Sequence, residues 1–312
     1  MRNRKEMQQN PLNILILGKN SYLGVSTDHY LREYNKSLGK VFYHINRLSQ
    51  RSDAWKNYDF SGYDTVICMT GIAHVDLGRI TAKQRQLYYR INCDLAVEAA
   101  RKARKEGVRQ FIYMSSVLVY GDGARVGKSK HISADTPERP SNYYGSSKLK
   151  AERKLAKLAA EDFQIAIVRA PMVYGAHSKG NFPILRKLAE HILIFPTISN
   201  QRSMIYVENL AEFLRILADS GEGGIFYPQN TKYVATYDIV CAIANAAGKR
   251  ITPCAWLNLL VKLGSYAPGK IGKLVNKAFG SLTIDQALSR RSFDGYCNDS
   301  LEASIKKIYQ NR

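Results

Sequence analysis

The stretch Asn13-Ile-Leu-Ile-Leu17, closed by Gly18, constrains the fold more than any other part of the chain. An unbroken apolar run of strand length leaves no face for water. It reads as a strand buried on both sides, the pattern of a parallel sheet covered by helices. Thr65-Val-Ile-Cys-Met69, Gln110-Phe-Ile-Tyr-Met114 and Ile165-Ala-Ile-Val-Arg169 repeat it, and residues 40–45 alternate like a further strand. Between these runs, residues 22–34, 85–106 and 144–160 carry helical periodicity. Strands alternating with helices predict an α/β fold, a doubly wound parallel sheet of Rossmann type. The rhythm loosens after residue 170. The expected division is a dinucleotide-binding domain over 12–170, with 201–225 returning to it, and a smaller substrate lobe from 171–200 and 226–312.

Each chemically suggestive stretch comes just after the carboxyl end of a strand, where open α/β sheets bind ligands. The first is Gly18-Lys-Asn20-Ser21-Tyr22-Leu23-Gly24. A dinucleotide pyrophosphate needs close backbone approach and the positive end of a helix at such a turn. Gly18 suits the tight turn and Gly24 suits close packing of helix on strand. Ser21 stands where a middle glycine is expected. The second strand brings Asn46 and Arg47 to the place where an acid would take the ribose 2′-hydroxyl of NAD. No carboxylate there competes with a 2′-phosphate, and Arg47 could pair with one, so NADP stays open beside NAD.

The catalytic candidates are Ser116, Tyr144 and Lys148. Tyr144 and Lys148 are four residues apart, on one face of a helix. A cation near a phenol favours its ionised form, so the Tyr144 pKa is expected to fall below about 10. A phenol tuned in this way can exchange a proton with a sugar hydroxyl. Ser116, at a strand end, could hydrogen-bond the same oxygen.

Gly18 with Gly24, Asn92, Ser116 to Gly121, and Asn142-Tyr-Tyr144-Gly-Ser-Ser-Lys148-Leu together resemble the extended short-chain dehydrogenase/reductases. More narrowly, they resemble the NAD-dependent epimerase/dehydratase group acting on nucleotide sugars. Arg169-Ala-Pro-Met-Val-Tyr-Gly175 and Arg202-Ser-Met-Ile-Tyr-Val-Glu-Asn-Leu210 are similar to two later signatures of that group. The resemblance implies reversible hydride transfer with Tyr144 as acid/base, Lys148 on the nicotinamide ribose and Ser116 on the sugar oxygen. It implies that Met69, Thr70 and Gly71 line the dinucleotide and that Asn92 sits behind the nicotinamide. It implies that Arg202 grips the nucleotide pyrophosphate while Asn181 and Phe195 line the nucleotide pocket; Phe195 could equally be core. Relatives that dehydrate sugars carry an Asp-Glu pair after the catalytic serine or threonine. Here Val117 and Leu118 hold those places and have no proton to transfer, which argues against a 4,6-dehydratase. A nucleotide-sugar 4-epimerase is expected, on a UDP-hexose or UDP-N-acetylhexosamine of surface polysaccharide synthesis. A 4-ketoreductase, or an epimerase of a polyprenyl-diphosphate-linked sugar, is the alternative. Non-catalytic members of the fold usually lose the tyrosine or the lysine, and both are present.

Composition bounds the partners. The 312 residues are 45% hydrophobic, enough for a real core, and carry a formal charge of +20. Such an excess suits acidic partners. No aromatic-and-basic motif points to nucleic acid. Residues 249–280 hold six Lys or Arg and no acid. Lys270, Lys273 and Lys277 share one helical face there, with Ile271, Leu274, Val275 and Ala278 on the other. This is either a solvated face over a core stripe or a membrane-surface helix. The five cysteines, Cys68, Cys93, Cys241, Cys254 and Cys297, form no CxxC pair, so neither a disulfide framework nor a metal site is expected. The polar amino terminus and the lack of a long apolar run fit a cytoplasmic protein, with peripheral contact at the inner membrane face left open. The helices at 85–106 and 144–160 are expected to pair in a homodimer, as in related proteins.

Overall fold

The computed structural model describes residues 10–73, 80–178, 180–290 and 293–310; of Asn181 and Arg290 it describes the backbone alone. Six strands form the central sheet: β1 (Leu12–Leu17), β2 (Tyr43–Leu48), β3 (Thr65–Cys68), β4 (Gln110–Ser116), β5 (Gln164–Ala170) and β6 (Gly224–Phe226). Their spatial order is β2-β1-β3-β4-β5-β6, and every pairing is parallel. The order reverses between β1 and β3, which opens a crevice outside their carboxyl ends.

The β1 run is apolar because both of its faces are core. Ile14 and Ile16 join Leu31, Phe213 and Leu214 on one side. Leu15 and Leu17 join Ala99, Ala100 and Leu155 on the other. All four β1 side chains are fully buried, each stabilising the fold by roughly 1.5–3 kcal/mol. The first side is covered by α1 (Tyr22–Ser37); the second is covered by the segment from α2 (Ala82–Tyr89) to α3 (Leu95–Lys105) and by α4 (Tyr143–Ala156).

Two differences from the sequence expectation bear on the site. The helix expected over 85–106 is broken by a π-helical turn, Arg90–Asp94, between α2 and α3. Such turns bulge one residue out of the helix and often mark functional positions. Strand β2 runs to Leu48, three residues past the expected end. Its start is set by Tyr43 and Ile45, which face the core, while Val41 stays exposed.

The remaining helices are α5 (Asn181–His191), α6 (Val207–Ser220), α7 (Thr236–Ala246), α8 (Leu257–Gly264), α9 (Gly269–Phe279), α10 (Gln286–Arg290) and α11 (Leu301–Gln310). Helix α6 packs back on α1, and β6 closes the sheet beside β5. A separate core gathers Phe182, Phe195, Ile239, Ile243 and Ile305. No helix among the described residues is long and apolar enough to cross a membrane.

Candidate active site

The turn after β1 is shaped by backbone constraints. Gly18 adopts φ +108°, and a Cβ there would stand 3.0 Å from the Met69 carbonyl carbon. Both features demand glycine. The Gly18 and Lys19 amides bond to the Leu48 carbonyl at 2.9 and 3.1 Å, which ties the turn to the tip of β2. Ser21 replaces a glycine with a cap: its Oγ accepts the Gly24 amide at 3.0 Å and starts α1. A Cβ on Gly24 would meet the Gly18 carbonyl and Ser21 Oγ at 2.7 Å. The helix can sit this close only because Gly24 has no side chain. The first-turn amides of Tyr22 and Leu23 are donors that a helix leaves without intrahelical partners, and they suit an anion.

Asn46 and Arg47 are separated by the extended β2. Asn46 donates to the Tyr63 hydroxyl at 2.8 Å and lines an open cleft with Tyr58, Asp59 and Tyr63. That cleft lies beside Asn13, at the amino ends of the strands. Asn46 pairs with Leu15 inside the strand, short of the tip. Arg47 faces α1. It bonds Asp28 through Nε at 2.9 Å and the Lys19 carbonyl through Nη1 at 2.6 Å, which holds a cation against the Gly18 turn. Asp28, nearly buried and shared with Arg32, was not foreseen from the sequence.

The end of β3 runs across the corner where Ser116, Tyr144 and Lys148 meet. A Cβ on Gly71 would lie 3.3 Å from both Asn92 Oδ1 and Lys148 Nζ. Asn92 sits on the π-helical turn and is fully buried. Its side chain holds the Ile72 amide at 2.8 Å, the Ile72 carbonyl at 3.1 Å and Ser147 Oγ at 3.0 Å. Asn92 thus fixes the path of the chain past Gly71.

Ser116 ends β4 and accepts the Leu118 amide at 3.3 Å. The next turn, Val117–Tyr120, passes so close to α4 that a Cβ on Gly145 would collide with the Leu118 carbonyl. Gly145 therefore lets Tyr144 approach Ser116. Asn142 caps α4 through the Gly145 amide at 2.9 Å. Lys148 is 4% exposed, donates to the Met114 carbonyl at 2.7 Å, and lies 4.7 Å from the Tyr113 ring centroid and 6.0 Å from that of Tyr144.

The expected fall in the Tyr144 pKa does not occur in this state. Burial pushes the phenol up to about 12, against a lowering hydrogen bond with Ser116. Burial also pulls Lys148 down to about 8, against the opposing influence of Cys68 and Glu152. Both groups leave water together, and desolvation is the largest influence on each.

Behind this corner lies a polar network that sequence spacing could not reveal. Arg169 on β5 binds Glu152 on α4 at 2.7 Å, Glu138 at 2.9 Å and the Tyr227 hydroxyl at 3.0 Å, and it also meets Tyr120. Ser115 donates to the same Glu152. Only the YxxxK helix hints at it, because Glu152 is one further turn along the face of Lys148.

Of the residues expected to hold a nucleotide, Arg202 has the suitable chemistry. Burial lowers its pKa, no carboxylate offsets that, and its Nη1 bonds the Lys277 and Ala278 carbonyls at 2.7 and 3.2 Å. Lys277 is lowered chiefly by burial, against the opposing influence of Asp122 and with a smaller push from Arg202 in the same direction as burial, so two cations and one acid lie near one another. Phe195 is core: it is 5% exposed and its ring lies 5.7 Å from that of Phe279. The side chain of Asn181 lies outside the described residues.

These features fit a dinucleotide. The Thr70 hydroxyl and both polar atoms of Gln50, just past β2, are buried without partners. Gly18 and Gly71 leave room that a Cβ would fill. The model of the NAD dependent epimerase/dehydratase family matches residues 14–227. The chain belongs to that family. Its cofactor is accordingly a nicotinamide dinucleotide, NAD by the family's description, with NADP the alternative that the strand-end turn left open. The chain is 26% identical over 316 residues to a UDP-glucose 4-epimerase of Vibrio cholerae, covering 96% of this chain and 95% of that one. It is 23% identical over 298 residues to the N-acetyl-alpha-D-glucosaminyl-diphospho-ditrans,octacis-undecaprenol 4-epimerase of Escherichia coli O157:H7, covering 90% and 87%. In fold it is similar to the UDP-glucuronic acid 4-epimerase from Bacillus cereus solved with NAD, with a TM-score of 0.69, 18% identity and 96% of each chain covered.

Proposed function

We propose that this epimerase-family chain is a nucleotide-sugar 4-epimerase, acting on a UDP-hexose or UDP-N-acetylhexosamine through reversible oxidation at C4. The observation that carries the reading is the Ser116–Tyr144–Lys148 corner together with the two residues after the serine. Val117 is buried and Leu118 half-buried; neither can supply the acid or base that eliminating water requires. One proton and one hydride are what the corner can handle.

NAD supplies the hydride acceptor and donor when bound. Tyr22 and Leu23 would hold its pyrophosphate by their amides, with Met69, Thr70 and Gly71 along its far half. Ser116 would bond the C4 oxygen and Tyr144 would take its proton and return it. Lys148, fixed by the Met114 carbonyl, would stabilise the phenolate and meet the ribose. Arg202 and Lys277 would receive the substrate diphosphate. A homodimer through α2–α3 and α4 is part of this reading, with a role in surface polysaccharide synthesis.

A second reading, an NADPH-dependent 4-ketoreductase, draws on one observation: the Arg47 guanidinium held against the Gly18–Lys19 turn. The test is the cofactor content of the purified protein. Tightly retained NAD, recycled without loss, supports the epimerase. Protein that arrives empty and consumes NADPH with a 4-keto sugar supports the reductase. Binding neither dinucleotide contradicts both.

A further inference from the structure

Helix α8 wears its apolar stripe on the outside. Trp256 just before it, then Leu259, Leu260 and Leu263, recur at helical spacing and are 65%, 62%, 54% and 61% exposed. An amphipathic helix normally turns such a stripe inward. Here the opposite side is fastened down. Asn258 binds the Thr197 amide and hydroxyl at 2.9 and 3.1 Å. The α8–α9 turn is closed by Asn276, which donates to the Ser265 carbonyl at 2.8 Å, and by Gly272, where a Cβ would collide with the Ala267 carbonyl. Helix α9 adds Ile271 and Leu274 to the outer face, and Tyr266 at the turn is 70% exposed. The sequence offered either a core stripe or a membrane-surface helix in this region; Ile271 and Leu274 are not core.

Charge decides among occupants. No acid occurs from residue 239 to 284. Lys249, Arg250, Lys262, Lys270 and Lys273 are all exposed around the stripe. A second copy docking by this face would set like charges against each other. An anionic bilayer offers both what the lysines need and what the leucines need, and tryptophan and tyrosine favour the interface between the two.

We propose that the α8–α9 hairpin is a bilayer-docking surface that seats the protein peripherally on anionic lipid. Trp256 and Leu259, Leu260 and Leu263 enter the acyl boundary while Lys262, Lys270 and Lys273 meet the headgroups. The docked face lies one short helix from Arg202, whose guanidinium bonds the last carbonyls of α9.

The chain contains its own probe. It has two tryptophans, and Trp55 is already buried at 2% exposure, so a vesicle-induced blue shift reports Trp256. The full-length protein is titrated with phosphatidylglycerol/phosphatidylcholine vesicles and with phosphatidylcholine alone. Emission, co-sedimentation and light scattering are read. The expected result is a blue shift and binding that is at least about tenfold stronger on the anionic vesicles and weakened by salt. Leu259→Ser/Leu263→Ser and Lys270→Glu/Lys273→Glu should each lower binding about tenfold or more while melting and dinucleotide retention stay unchanged. No binding to anionic vesicles at low salt, or wild-type binding by both double variants, overturns the proposal. So does a loss of dimer in the leucine variant, which would assign the face to a second copy. No sugar substrate enters the titration, so its outcome is independent of the reaction.

Discussion

The catalytic corner and the α8–α9 hairpin violate the ordinary sorting of residues in opposite directions. The corner buries Lys148, Glu152 and Arg169, each under 5% exposed. The hairpin exposes Leu259, Leu260 and Leu263, each above 50%. In the corner every buried charge has a partner: a carbonyl for Lys148, a bidentate carboxylate for Arg169, a serine for Glu152. On the hairpin the exposed apolar groups face outward from a polar, hydrogen-bonded underside. Buried polarity that is fully satisfied holds a reactive geometry. Exposed apolar surface that is rigidly mounted has recognition as its use.

The difference predicts where substitutions hurt. Tyr144→Phe removes the transferable proton and should lower kcat by about 10²–10⁴-fold with NAD still bound; steady-state rates near wild type would remove Tyr144 from its role. Glu152→Ala strips the buried Arg169 guanidinium of its bidentate carboxylate and leaves half-buried Glu138 as its remaining acid, and urea unfolding should show a loss of about 3 kcal/mol.

Lys148→Met tests the burial cost directly. Its pKa is pulled to about 8 from 10.5. Between those values the unfolded chain keeps a proton that the folded one has shed, so stability rises with pH there; below about 8 both states are protonated and the full cost stands. The rise amounts to on the order of 3 kcal/mol across the window. Tyr144, shifted upward, acts in the reverse sense only above pH 10. Denaturant midpoints from pH 8 to 10 should therefore climb in the wild type relative to Lys148→Met. Parallel curves would mean that Lys148 is not desolvated.

Arg47→Ala should weaken NADP about tenfold, the worth of one charge-assisted hydrogen bond, and NAD hardly at all; calorimetry showing equal losses would leave Arg47 as a partner of Asp28 alone. The smallest effect belongs to the hairpin. Leu260→Gln should change unfolding free energy by no more than about 0.5 kcal/mol, and a loss several times larger would show the stripe to be core.

The sheet was legible because β1, β3 and β4 are buried on both faces, and continuous apolar runs say so. The Gly18 and Gly24 turn was legible because only glycine meets its close contacts. Asn92 was readable by likeness, but its π-helical turn was not, since a single such turn carries no signature in residue type. The end of β2 was not legible because an edge strand pairs on one side only, and its end depends on register with β1. Arg169 and Glu152 are 17 residues apart and meet only when β5 packs on α4. Phe195 was ambiguous because a pocket wall and a core share the same composition. For α9 the period was visible; the α8 stripe was not read, because which side of that helix faces outward depends on Asn258 reaching Thr197.

The central claim is that the corner moves one proton and one hydride at C4 in both directions. The direct measurement is product stereochemistry by NMR after incubating the purified protein with UDP-Glc, UDP-GlcNAc and a 4-keto-6-deoxy UDP-sugar, each with and without NADPH. A C4 epimer mixture is expected from a UDP-hexose or UDP-N-acetylhexosamine without added NADPH. A single reduced product formed from the 4-keto sugar alone, with stoichiometric NADPH consumption, would contradict it.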